Sequence, residues 1–224
     1  MQTDVEDLLA KVRDFAMPQG GAENRGMAIT QEGEMRLAPG RKWMPFKATQ
    51  IFEPGGIAFR WNARFTAGPA WMNVIDTFWG GKGSTAIRLF GVLPVGGASG
   101  EEIDRGAAMR GLAEIAWHPA AIDDGRIVWQ IAGDMVLRGR FDDGKTIATV
   151  YFNVDADGKI LGGSAPDRPY TAGKTVVPRA WSGRYFDYGS FGNLRMPSKA
   201  EATWHLPEGD FVYFRCEVTS ATLR

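Results

Sequence analysis

The chain has 224 residues, 44% apolar and 23% charged, with 26 basic and 26 acidic side chains and a formal net charge of zero. This suits one soluble globular domain over residues 1–224. Nothing in that balance favours nucleic acid or an anionic membrane as a partner, and neither is expected. There are 8 Trp and 13 Phe against 5 Tyr, enough large rings to fill a core and also to line a ligand cavity. Cys216 is alone, so no intrachain disulfide forms. No stretch approaches the ~20 apolar residues of a membrane span. The first residues carry acids where a signal peptide has a basic start and an apolar run, so a cytoplasmic location is expected.

Val5, Leu8, Leu9, Val12 and Phe15 recur at helical spacing and predict a short amphipathic helix over 3–16, ended by Pro18-Gln-Gly-Gly, within an N-terminal helix and loop of residues 1–26. From Met27 the pattern becomes extended. Segments 43–52, 57–65 and 71–79 are rich in aromatic and branched residues and are separated by Glu53-Pro-Gly-Gly and Thr66-Ala-Gly-Pro. Residues 84–95 read as a further strand. A second helix is expected at about 101–118, with Glu101, Glu102 and Asp104 in its first turn and Pro119 closing it. Strands resume at 126–132, 134–141, 145–153 and 158–164, with turns at Asp142-Asp-Gly and Asp155-Ala-Asp-Gly. Two or three more occupy 183–222. The expected fold is α+β and mostly β: a strongly curved antiparallel sheet, a half-barrel over 27–224, wrapped around one internal helix. Two packed sheets are the alternative.

The residues that carry chemistry lie on the internal helix. Arg110, Glu114 and His118 are four apart and would form one stripe. His118 titrates near neutral pH and suits proton transfer. Glu114 could orient it, or act as the base if burial raised its pKa, and Arg110 could stabilise developing negative charge. The structural reading of the same residues is an Arg110–Glu114 ion pair with His118 as a cap. Asp76 shares a strand face with Met72, Val74 and Phe78, where an acid needs a partner; that partner is Arg110, or else Asp76 is a catalytic carboxylate. Trp61, Trp79, Trp117, Trp129 and Tyr188 are the candidate ligand-lining rings. Period-two alternation places Glu201, Thr203 and His205 on one face and Trp204 with Leu206 on the other. Gly80-Gly-Lys-Gly-Ser lacks the phosphate-loop spacing and reads as a hairpin turn. Asp155-Ala-Asp-Gly lacks the other calcium-loop ligands. No ligand spacing supports a metal, and Cys216, among Val212, Phe214 and Val218, reads as a buried thiol.

Four segments together resemble a bacterial family of unknown function, the DUF6544 type. They are Trp43-Met-Pro-Phe-Lys-Ala-Thr-Gln50 with Phe59-Arg-Trp61; Val74-Ile-Asp76 through Gly80-Gly-Lys-Gly83; Met109-Arg-Gly-Leu-Ala-Glu114-Ile-Ala-Trp117-His-Pro119 with Trp129; and Trp181-Ser-Gly-Arg-Tyr-Phe-Asp187-Tyr188 with Met196-Pro197, Glu201, Trp204 and Phe214-Arg215. The chain departs from that family's pattern at Gly111, where a tyrosine is usual, and at His118, where an aromatic or bulky apolar residue is usual. The first departure is expected to open space and the second to add a titratable group. The resemblance implies a fold and no activity; by analogy that fold is the curved half-barrel of lipoprotein carriers, an apolar cup.

The expected function is a cofactor-independent acid–base enzyme (a lyase, isomerase or cyclase) acting on a hydrophobic small molecule held in the cup. His118 would move the proton, with Glu114, Asp76 and Arg110 around it. The alternative is a non-catalytic binder or carrier of a lipid-like ligand, with the stripe serving only to hold the helix. A structural protein without a cavity is a third reading.

Overall fold

In the first helix, α1 (Val5–Ala16), Asp4 is the N-cap and its carboxylate accepts the Glu6 N–H at 3.3 Å. Leu8, Leu9, Val12 and Ala16 form its buried stripe. The computed structural model describes residues 4–20, 25–67, 69–173 and 175–224. Residue 3 of the expected helix, the last glycine of Pro18-Gln-Gly-Gly and the glycine of Thr66-Ala-Gly-Pro lie outside the described residues.

Thirteen strands follow. They are β1 (Met27–Met35), β2 (Met44–Phe52), β3 (Phe59–Ala67), β4 (Ala70–Trp79), β5 (Lys82–Leu89) and β6 (Leu93–Ala98), then the second helix α2 (Glu101–Ala113), then β7 (Ile127–Gly133), β8 (Val136–Asp142), β9 (Ile147–Val154), β10 (Ile160–Ala172), β11 (Thr175–Phe191), β12 (Leu194–Leu206) and β13 (Gly209–Leu223). All lie in one curved, open antiparallel sheet, ordered β6-β5-β4-β3-β2-β1-β13-β12-β11-β10-β9-β8-β7. Each strand pairs with its chain neighbour, except that β1 closes on β13, with Met27 opposite Leu223. The free edges are therefore β6 and β7, the two strands that flank α2 in sequence. The helix crosses the open side and packs on β4 and β5 at one side and on β8, β9 and β10 at the other.

Local chemistry sets the depth of α2. Gly83 N–H and Lys82 Nζ both donate to the Asp104 carboxylate, at 2.7 and 2.9 Å. Burial alone would raise the Asp104 pKa, but the Lys82 and Gly83 hydrogen bonds hold it below the ordinary carboxylate value. The helix comes so close to the sheet that a Cβ on Gly111 would sit 2.3 Å from the Ile57 carbonyl oxygen, and one on Gly83 2.5 Å from that of Ile103. The space expected from the missing tyrosine at Gly111 does not exist, because the Ile57 carbonyl and the Phe59 ring lie against that position.

Several boundaries differ from expectation; the strand expected over 158–164 runs on to Ala172 as β10. Residues 84–95 are two strands, β5 and β6, because Phe90 (φ 50°) and Gly91 (φ 73°) turn the chain. The internal helix ends at Ala113 and not at His118. It tightens into a 3-10 turn at Glu114–Ala116, and a second 3-10 turn follows at Pro119–Asp123. The tail is three strands, the first of which starts at Thr175. Gly80 (φ 56°) and Gly81 (φ 78°) make the hairpin between β4 and β5, as Gly80-Gly-Lys-Gly-Ser suggested.

Candidate functional site

Beneath α2 lies a cavity of about 260 Å³, reached by Asp76 from β4, Arg110, Ala113 and Glu114 from the helix, and Trp117 after it. Its far wall comes from β10 to β13: Arg168, Trp181, Tyr185, Ala200, Ala202, Trp204, Tyr213 and Phe214. A smaller cavity of about 170 Å³ shares Asp76, Arg110 and Arg168 with it.

Arg110 and Glu114 meet because four residues make about one turn of helix. Arg110 Nε donates to Glu114 Oε1 at 2.8 Å, and its Nη1 donates to Asp76 Oδ2 at 2.9 Å. The other oxygens are engaged too: Gln50 Nε2 donates to Glu114 Oε2, and Thr85 Oγ1 donates to Asp76 Oδ1 at 2.7 Å. Burial works against the Arg110 charge, but Glu114 and Asp76 outweigh it and raise its pKa. The guanidinium carbon lies 4.8 Å from the Phe59 ring centre and 4.9 Å from that of Trp61. Of the two readings of Asp76 and Glu114, pairing with Arg110 is the arrangement present. Gln50 is fully buried, and its Oε1 finds no partner among the described residues.

His118 does not join this group. The 3-10 turn breaks the stripe, and His118 adopts φ −124°, ψ 70°. Its ring stacks on Phe52 at 5.2 Å and an interplanar angle of 16°, with Nε2 3.1 Å from the Glu53 carbonyl oxygen. It is 3% exposed and lines no described cavity. Desolvation pushes its pKa down to about 4, partly offset by the Glu53 contact, so it is a neutral imidazole at neutral pH.

Of the five expected ligand-lining rings, the structure places Trp117 at the cavity. Its Nε1–H donates to the Pro197 carbonyl at 3.0 Å, and its ring meets Tyr185 edge-on at 5.7 Å. Trp61 is buried behind Arg110 and donates to Gln31 Oε1 at 3.0 Å. Trp129 lies over β8, against Gly139, and donates to the Ile122 carbonyl at 3.0 Å. Trp79, at the β4 end, is 60% exposed. Tyr188 packs edge-on against Phe15 of α1 and donates to the Ile160 carbonyl. The last three fail to line the cavity because Trp129 packs on Phe152 beneath the Pro119–Asp123 turn at the β7 edge, Trp79 stands at a turn, and Tyr188 lies under α1.

The far wall was foreseen only in part: Trp181 and Trp204 belong to the set of tryptophans some of which a curved sheet must turn to its concave side, but neither was singled out as a ligand residue. Trp181 and Trp204 are directly opposed across β11 and β12, and Tyr185 follows Trp181 on the same face. Period-two alternation in those strands could have singled them out. Alternation does hold in β12: Ala200, Ala202 and Trp204 are buried, while Glu201 bonds outward, 3.7 Å from Arg184. His205 bonds Ser182 Oγ and Asp210 Oδ1 at 2.9 and 2.7 Å on that face. Cys216 is buried, and desolvation raises its thiol pKa far above the ordinary value. Among the described residues no cluster of metal-ligating side chains converges, and no helix is long and apolar enough to cross a membrane.

An open antiparallel meander curved round one helix, with a ring-lined cavity under it, defines a LolA-like fold. Solved structures that share it include two from bacteria. A LolA superfamily protein from Nitrosomonas europaea superposes with a TM-score of 0.51 at 10% identity, covering 100% of this chain and 94% of that one. A domain assigned to outer membrane lipoprotein sorting, from Vibrio parahaemolyticus, gives 0.57 at 11%, covering 99% and 94%. The family model for DUF6544, a family of unknown function, matches residues 4–216, and the chain belongs to that family. No curated protein sequence matches it.

The expectation of an acid–base lyase, isomerase or cyclase is corrected by these findings. The two structures are described as a LolA superfamily protein and as an outer membrane lipoprotein-sorting domain, which favours the carrier alternative over catalysis. The imidazole that was to move the proton is sealed from the cavity, and both carboxylates are engaged by Arg110.

Proposed function

We propose that the protein is a non-catalytic binder or carrier of a lipid-like ligand, held under α2 against the ring-lined wall of β11 to β13. The observation that carries this reading is the cavity of about 260 Å³ with Trp117, Trp181, Tyr185, Trp204 and Phe214 in its wall. Its inward polar side chains brace the helix. Arg110, Asp76 and Glu114 form a closed set of bonds, which suits a scaffold better than a reacting centre. The likeness in fold to a LolA superfamily protein and to a domain described by lipoprotein sorting supports the same reading.

The test is titration with N-phenyl-1-naphthylamine, an uncharged apolar probe, followed by tryptophan quenching and probe fluorescence. Saturable binding to one site and a raised melting temperature are expected. Ala202→Phe, which fills the cavity from β12, should abolish the saturable signal while leaving the far-UV spectrum unchanged. Absence of saturable binding to wild type, or equal binding to the filled variant, overturns the proposal.

A further inference from the structure

We propose that Arg168 and Tyr213 form a receptor for the oxyanion end of an amphipathic ligand, such as a carboxylate, while its apolar body lies along the rings of the same cavity. This rests on the binder reading and adds the chemical class of the ligand.

Both residues owe their place to an irregularity in the sheet. Between Ala165, opposite Trp181, and Arg168, opposite Arg179, β10 carries one residue more than β11. Strict alternation from buried Ala165 would send residue 168 to the outer face. The extra residue turns it inward. The bulge is tied to the helix: Arg105 Nη1 donates to the Asp167 carbonyl at 2.8 Å, and Nη2 bridges the Asp167 carboxylate. A second bulge lies across the cavity wall. Ala202 faces Phe214 and Thr203 faces Val212, so Tyr213 is the unpaired extra residue of β13. Two separate bulges thus bring two polar side chains into one ring-lined space.

Their hydrogen-bonding capacity points the same way. The Arg168 guanidinium sits against Trp181 at 4.6 Å and Trp204 at 5.3 Å from the ring centres. It donates to Tyr213 Oη at 3.3 Å and to the Gly106 carbonyl at 3.5 Å, both long contacts. A guanidinium has five N–H donors, so most of its capacity remains, and among the described residues no carboxylate bridges it. Tyr213 Oη accepts from Arg168 and, at 3.2 Å, from Trp181 Nε1. Its own O–H has no acceptor among the described residues. Two adjacent groups therefore present donors to the cavity and lack an acceptor there. Of the charged residues at the cavity, Arg110 and Arg168 stand against Asp76 and Glu114, while Glu201 is 3.7 Å from Arg184. These charges are unevenly placed, however, because the Asp76 and Glu114 carboxylates both bond Arg110. A ligand oxyanion would complete at Arg168 what Asp76 and Glu114 complete at Arg110.

The experiment compares decanoate with 1-decanol, ligands with equal chains and different heads, by tryptophan fluorescence titration of the whole chain, with acetate alone as a third arm. Wild type should bind decanoate about tenfold more tightly than decanol. In Arg168→Gln that ratio should fall to about one, and in Tyr213→Phe it should fall about threefold. Acetate should not displace decanoate at matched concentration. Should Arg168→Gln fail to fold, the wild-type ratio and Tyr213→Phe still decide. Equal binding of decanol and decanoate overturns this inference and leaves the binder reading standing. So does a ratio that survives both substitutions, or displacement by acetate. Absence of binding by either chain ligand overturns both.

Discussion

Arg110 and Arg168 face one cavity from opposite walls, each over two aromatic rings, and they differ in what their N–H groups reach. Arg110 stands on a helix and reaches two carboxylates, each held in turn by a neutral donor. Arg168 stands on a bulged strand, lies on two indole rings and makes two long bonds to neutral oxygens. A buried charge with all its partners is part of the framework. One with spare donors is open to a visitor. The contrast shows that a polar group's bonding state, and not its presence in a cavity, separates bracing from binding.

The largest expected effect tests that contrast directly. Arg110→Met leaves Asp76 and Glu114 as uncompensated carboxylates, and unfolding in urea should show a loss of about 3–5 kcal/mol. Arg168→Gln removes a charge that no carboxylate depends on, and should cost no more than about 1 kcal/mol. Equal losses would break the distinction. A second carboxylate change should sharpen it: Arg110→Met with Glu114→Leu should be less destabilised than Arg110→Met alone, because one stranded charge is gone.

The far end of the expected stripe supplies the next effect. His118 is held neutral, with a pKa of about 4 in the fold against about 6.5 in an unfolded chain. Between those values the unfolded chain binds more protons, so stability falls as pH falls. Its full value is present above about pH 6.5, and the loss is complete below about pH 4. The loss from this one group is about 3 kcal/mol. His118→Phe keeps the stack on Phe52 and removes the titration. The stability difference between variant and wild type should therefore shift by about that amount between pH 7 and pH 4. Parallel pH curves would show that the ring is not sealed.

How much of this was legible in the sequence depended on the range of the pattern. The Arg110–Glu114 pair follows from helical spacing alone, and Asp76 from alternation within one strand. The curved sheet with one internal helix followed from the run of short strands around a single helical segment. His118 was misplaced because the helix tightens to a 3-10 turn at Glu114, a change of a few dihedral angles that carries no sharp sequence mark before Pro119. Arg168 and Tyr213 were invisible for a different reason. A bulge is defined by the count of residues opposite it, so it belongs to the pairing of two strands and not to either strand's own sequence. Gly111 misled for the same cause, since it could be taken as a gap until Ile57 was seen to fill it.

Two glycines of α2 give a smaller effect within one helix. Gly111→Ala would force its Cβ against the Ile57 carbonyl and should cost about 1–3 kcal/mol. Gly106→Ala meets nothing within 4 Å and should stabilise by up to about 1 kcal/mol through helix propensity. The first substitution would also lift the face that carries Arg110, so the rise in the 3-10 region should be seen as faster amide exchange at Glu114 to Trp117. If Gly111→Ala proves neutral, the helix does not sit as deep as its contact with Ile57 requires.

The smallest stability effect carries the most information about the open arginine. The Arg105–Asp167 pair is partly exposed, with side chains 32% and 50% accessible, and such pairs contribute no more than about 1 kcal/mol. Arg105→Ala should therefore hardly move the unfolding curve. Its second bond, to the Asp167 carbonyl, fixes the residue just before Arg168 at the bulge that turns the guanidinium inward. Without it the guanidinium should sample the outer face, where it meets solvent rather than Trp181 and Trp204. The expected result is a decanoate preference weakened about threefold in a protein of nearly unchanged stability. If the preference is untouched, the bulge is held by the strand pairing itself, and the tie from α2 is only a surface contact. If stability falls as far as in Arg110→Met, Arg105 belongs with the framework charges, and the division between the two arginines must be redrawn to include the helix that joins them.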